Sequence, residues 1–286
     1  MKIKLILMAL AGMSTAVFAN TAETTGNAVN SNGDVLASAP VVVFGGGANE
    51  IYNNGPLVNS VGTGIGGEDE SVLQGNIGMN TLGSGHQVAF DNRIADDFVV
   101  TGGDWEIESI DFYAYQTNEV ASTITAVNLR IWDGIPGDPG STVIFGDTTT
   151  NLMSSTGNSG ILRVTDTTTG TTNNRQIAVS NVSVGITLSP GTYWLDWQSD
   201  GTGASGPWAP PITINGETTT GNALQSTDGG VTYLDQLDSG TSTQQGFPFV
   251  MYGTLPPPPI VPSLSIYGLL LLALIALVFG RRFIRQ

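Results

Sequence analysis

The sequence predicts an all-β protein: a single β-sandwich or jelly-roll-like ectodomain, with an N-terminal signal peptide and a C-terminal transmembrane helix. Three observations carry this. Between residues 41 and 255, Thr, Val and Ile dominate, and their β-branched side chains favour the pleated backbone. Short stretches of apolar and polar alternation recur at near-regular spacing, separated by Gly, Asn, Asp and Thr, the pattern of sandwiches and barrels. No segment of ordinary helix length carries apolar residues at a 3.6-residue period.

Residues 1–19 read MKIKLILMALAGMSTAVFA. Lys2 and Lys4 form a positive start, an apolar run follows, and Val17-Phe18-Ala19 supplies a small residue for cleavage before Asn20. Residues 20–40 are small, polar and aperiodic, and read as a disordered linker. Residues 41–255 form the ectodomain. Trp105 to Tyr115 reads as a strand whose apolar phase slips between Ile107 and Ile110, which predicts a bulge at Glu108-Ser109. In the next strand Thr123, Thr125, Val127, Leu129 and Ile131 share one face, and Ile124, Ala126, Asn128, Arg130 and Trp132 the other. Val182, Val184, Ile186 and Leu188 alternate cleanly. Ser189-Pro190-Gly191 then carries the type II turn pattern. In Thr192 to Gln198 both faces are bulky, Tyr193, Leu195 and Trp197 against Trp194 and Asp196, which predicts a strand buried on both sides. Phe247 to Tyr252 closes the unit. Shorter strands are expected at Val41–Phe44, Asp97–Val100, Val143–Phe145, Ile161–Val164, Arg175–Val179, Ala223–Gln225 and Val231–Leu234.

The C-terminal region opens on a stiff spacer, residues 256–260, with four consecutive prolines. Residues 261–286 follow. They contain Val261, Pro262, Ser263, Leu264, Ser265, Tyr267 and Gly268, then an apolar run from Leu269 to Phe279, then Arg281, Arg282 and Arg285. With its apolar flanks the run reaches the length of a marginal transmembrane helix, and the arginines place its end in the cytoplasm. This tail resembles the bacterial IPTL-CTERM sorting signal, a relative of PEP-CTERM, with Val261, Ser263 and Tyr267 standing where the family has Ile, Thr and Trp. The resemblance implies an exosortase-type membrane transpeptidase as partner, transient residence in the inner membrane, and delivery to the cell surface or outside. Arg93 to Phe98, Leu129 to Gly134, Gly191 to Leu195, Gly206 to Pro211 and Gln245 to Phe249 likewise resemble uncharacterised bacterial β-sandwich ectodomains that carry such tails.

Composition narrows the function. The chain has 24 acidic and 9 basic residues, no Cys and one His. Five of the basic residues sit in the two end segments, so the region between holds four arginines against 24 acids, a net −20 without a single Lys. Such a surface repels phosphate and argues against nucleic acid. Absence of Cys excludes thiol catalysis and disulfides. His86 is the one imidazole a serine hydrolase would need, yet no G-x-S-x-G elbow is present, and His86 reads as a loop or surface residue. No catalytic residue is assigned. Asp133 and Asp138, in a Gly- and Pro-shaped loop, are the candidate ligands of a structural Ca²⁺, with turn aspartates as the plainer reading. No other cofactor is expected. Trp208, in a prolyl loop, is the candidate platform for stacking a sugar. The resulting expectation is an exported, non-enzymatic surface or extracellular-matrix protein sorted through its tail. A carbohydrate-binding module for exopolysaccharide is the alternative, and a secreted hydrolase a distant third.

Overall fold

The computed structural model describes residues 26–42 and 49–257. The signal peptide, Val261 to Gly268 and the three C-terminal arginines lie outside the described residues. The chain forms β1 (Asn49–Asn53), β2 (Asp69–Leu73), β3 (Ser84–Gly85), β4 (Arg93–Val100), β5 (Trp105–Tyr115), β6 (Ile124–Trp132), β7 (Val143–Gly146), β8 (Met153–Thr165), β9 (Gln176–Leu188), β10 (Gly191–Gly201), β11 (Trp208–Ala209), β12 (Leu224–Ser226), β13 (Leu234–Asp235) and β14 (Phe249–Thr254). Two sheets result. One runs β1-β14-β5-β9-β8-β2, with β11 joining β5 to β3; the other runs β13-β12-β4-β10-β6-β7. Pairing is antiparallel throughout except for β2 against β8. Among the described residues no helix is long and apolar enough to cross a membrane.

The fold is therefore all-β, two sheets face to face, as the alternation predicts. Their inner faces share one core. Ile110, Phe112, Val182, Phe249 and Met251 come from the first sheet, and Phe98, Val127, Leu129, Leu195 and Trp197 from the second. Phe112 and Trp197 meet across it with ring centroids 4.8 Å apart, a contact worth about 0.5–1.5 kcal/mol beyond its buried area. The bulge falls as predicted: the β5–β9 register slips between Ile107 and Ser109. Strand β10 is buried on both faces, as its sequence implies, because Trp194 and Asp196 are covered on the outer side.

Three expectations need correction. Ser189-Pro190 makes no type II turn: it carries the chain from one sheet to the other, and Gly191 opens β10 without a positive φ. The Pro-Gly pair there answers to a sheet crossing rather than a hairpin. The described part of the 20–40 linker is docked, not free. Ala28 is fully buried and donates its N–H to Asn173 Oδ1 at 3.0 Å; Asn173 Nδ2 in turn donates to the Leu36 carbonyl at 2.8 Å. Polar composition alone hides this docking, because backbone groups make most of the contacts. Lastly, Val231 to Leu234 is mostly loop, and only Leu234 and Asp235 pair.

On the outer face of the second sheet a buried ionic cluster ties three strands together. Asp196 on β10 accepts from Arg93 Nε on β4 through Oδ1 (2.6 Å). Its Oδ2 accepts from Arg130 Nε (2.6 Å) and Trp132 Nε1 (3.2 Å) on β6, and from the Tyr233 hydroxyl (2.7 Å). Arg93 also donates to Asn128 and Gln198 at 2.6 and 2.7 Å. Arg130 donates to the Tyr233 oxygen at 2.7 Å, and its guanidinium carbon lies 4.8 Å from the Trp132 ring centroid. Removing one partner of a buried ion pair strands the other. Asp196→Ala is therefore expected to cost about 3–5 kcal/mol in urea unfolding. Asp147→Ala, at an exposed turn, is expected to cost much less.

Candidate functional site

The most site-like concavity lies on the outer face of the first sheet. Past the bulge the odd-numbered residues of β5 point outward, and Asp111 pairs with Asn181 on β9 and Val250 on β14. Asp111, Tyr113, Ser159, Ile161, Val179, Tyr252 and Val42 line a cleft of about 160 Å³, enough for one small ring. Asp111 is oriented by two donors: Asn181 Nδ2 at 2.7 Å to Oδ1 and the Tyr252 hydroxyl at 3.1 Å to Oδ2. Burial pushes its carboxyl up, and these bonds pull the other way. The Tyr113 hydroxyl has no hydrogen-bond partner among the described residues. Burial first, then the charges of Asp111 and Glu50, hold that phenol protonated. The wall thus presents a free donor, an oriented acceptor and aromatic and aliphatic surface, the mixture that fixes a polyol by its hydroxyls and its apolar face.

Two other hollows offer less. One of about 550 Å³ lies between residues 35–41 and Ile65 to Glu68; it is largely aliphatic, with Glu68 its one ionisable group. Another, of about 290 Å³, is lined by Asn59, Gln74, Asn76, Asp166 and Asn215, whose polar groups are largely spent on one another and on loop backbone.

The residues singled out from sequence do not converge here. Trp208 is 7% exposed. Its ring packs with Leu57, Leu73, Met79, Leu82, Tyr115 and Ile177 in a second small core, and Nε1 donates to Ser205 Oγ at 3.0 Å. The expected exposed platform is thereby corrected, since no ring face is left for a sugar. His86 is in a loop but fully buried, not at the surface. Its Nε2 lies 3.0 Å from Ser199 Oγ, and desolvation lowers its pKa to about 4. No carboxylate hydrogen-bonds its Nδ1 among the described residues. The pair lacks both the orienting acid and the access that acyl transfer needs.

Asp133 serves as a turn aspartate. Its two carboxylate oxygens accept the Thr142 N–H (2.6 Å) and hydroxyl (2.7 Å), which hold its pKa below the ordinary value. No group of three or more His, Cys, Asp or Glu side chains among the described residues could hold a metal ion. The chain matches no family model, and no curated protein or solved structure matches it.

Sequence reasoning missed the cleft because Asp111 and Tyr113 on β5 meet Tyr252 on β14 only through non-local pairing. The one local signal is the polar and aromatic odd phase, Ser109, Asp111, Tyr113 and Tyr115, opposite an apolar even phase.

Asp96 is a separate buried carboxylate, on the core face of β4. It accepts the Phe247 N–H at 2.7 Å and Asn54 Nδ2 at 3.0 Å through Oδ2, and the Asp97 N–H at 3.0 Å through Oδ1. Desolvation outweighs these bonds and pushes its pKa up to about 7. Below the unfolded pKa near 4, both folded and unfolded chains hold the proton. Between about 4 and about 7 only the folded chain does, so this group's contribution to stability falls as pH rises through that window. The stability of wild type relative to Asp96→Asn, from urea unfolding, is expected to fall as pH rises from about 4 to about 7, on the order of 1 kcal/mol per unit, and to level off above.

Proposed function

We propose that this chain is an exported, non-enzymatic surface or matrix protein, held briefly by its C-terminal tail and then processed by an exosortase-type transpeptidase. One observation carries the reading: Val261 to Gly268, the apolar run Leu269 to Phe279, and Arg281, Arg282 and Arg285 occur in that order after a proline spacer. The acidic body is consistent with this, since all four of its arginines serve internal bonding rather than a basic surface. Mass spectrometry of the mature protein from sorting-competent cells tests it. The expected product begins at Asn20 and lacks Arg281; a C-terminus that retains Arg281 overturns processing.

A second reading is favoured by the cleft around Asp111 and Tyr113. In it the body binds a neutral sugar unit of exopolysaccharide, with Asp111 accepting a sugar hydroxyl and the Tyr113 hydroxyl donating to another oxygen. A hydrogen bond to a charged group is worth about 1.5–3 kcal/mol. On a glycan array, Asp111→Asn and Tyr113→Phe are expected to weaken binding about tenfold or more, with thermal unfolding of Tyr113→Phe near that of wild type. Binding that is unchanged in both variants overturns the reading.

A further inference from the structure

The loop between β6 and β7 holds chemistry that the reading above does not use. Its sequence is Ile135-Pro136-Gly137-Asp138-Pro139-Gly140-Ser141, and Asp138-Pro139 is the one Asp-Pro pair in the chain. Two turns run in tandem. Asp138 donates its N–H to the Ile135 carbonyl at 3.1 Å, and Ser141 donates to the Asp138 carbonyl at 3.1 Å. Each turn has Pro second and Gly third, and Gly137 and Gly140 take φ of +84° and +101°, as a type II turn requires. The base of the loop is clamped by the Asp133 and Thr142 bonds described above.

We propose that the Asp138-Pro139 peptide bond is a self-cleavage site, with the Asp138 side chain as nucleophile. Three features meet at this bond. The Asp138 carbonyl is polarised by the Ser141 N–H, which would also stabilise the oxyanion formed on attack. The Asp138 carboxyl is exposed and accepts no hydrogen bond from any described residue, unlike Asp133 in the same loop. The leaving group is the prolyl nitrogen, which has no N–H to anchor it in the turn.

The step balances within the chain and water. The carboxylic acid oxygen of Asp138 attacks its own main-chain carbonyl carbon, closing a five-membered cyclic anhydride. The C–N bond to Pro139 breaks, and the proton of the acid ends on the prolyl nitrogen. Water then opens the anhydride to two carboxyl groups. Attack within one residue has the advantage of an intramolecular reaction. The fragments stay together after the cut. Strand β10 from the C-terminal piece sits between β4 and β6 of the N-terminal piece, and β5 sits between β14 and β9.

The test incubates the mature full-length protein at pH 4.5 and follows it under denaturing conditions by mass spectrometry. Fragments ending at Asp138 and beginning at Pro139 are expected from the native protein, at least about tenfold faster than from the same chain unfolded in urea at that pH. Asp138→Asn is expected to abolish them. Ser141→Pro, which keeps the Asp-Pro bond but removes the N–H donor and the turn geometry that presents it, is expected to slow them toward the unfolded rate. Native cleavage no faster than in urea, or undiminished in Asp138→Asn, overturns the proposal.

Discussion

The grip of two arginines on Asp196 is the constraint on which the second sheet depends. Strands β4, β10 and β6 are adjacent but far apart in sequence, and Asp196 in the middle strand takes one guanidinium from each side. A buried carboxylate between two buried cations has little freedom of register, because slipping any strand by one residue would turn its charge to the opposite face. The same cluster fixes the covering loop, since Tyr233 is bonded to both Asp196 and Arg130. Arg163 plays a comparable part on the first sheet without a carboxylate: it donates to the Leu82, Ser71 and Thr81 carbonyls and the Ser71 hydroxyl. A planar fork with five donors can satisfy such dispersed acceptors, and an ammonium cannot. This suits a body that uses arginine inside and has no lysine.

Covering both sheets on their outer sides also limits where a ligand can sit. One end of the first sheet is capped by the small core around Trp208 and Tyr115, and the second sheet by Trp132, Trp194, Leu224 and Tyr233. The Asp111 and Tyr113 cleft lies in the part of the first sheet where that cap stops. A sandwich with both faces packed leaves its remaining chemistry to such gaps and to loops, which is where the two candidate activities of this chain fall.

How far this was legible in the sequence follows from the range of each interaction. Period-2 alternation is local, so the long strands, the bulge at Glu108-Ser109 and the double burial of β10 could be read directly. Pairing is not local: β2 lies parallel to β8 and β14 lies beside β5, and no pattern within either strand announces its neighbour. Trp208 shows the difference at a single residue. Its prolyl loop suggested exposure, while the apolar residues that bury it come mostly from residues 57–115 and from Ile177. Asp133 was legible as a turn residue from its Gly and Pro neighbours, but the Thr142 partner that engages its carboxylate became visible only once the loop was closed.

Placing all four body arginines inside has a practical consequence for the folded body. Arg93, Arg163 and Arg175 are fully buried, and the Arg130 side chain is 12% exposed. Proteases that cut after lysine or arginine therefore find almost nothing to hold between the two ends while the body stays folded. Amine-directed coupling reagents would meet no side chain there at all, leaving the α-amino group as their target. Resistance of the folded body to that class of protease then resides in the burial of its arginines rather than in any added shield.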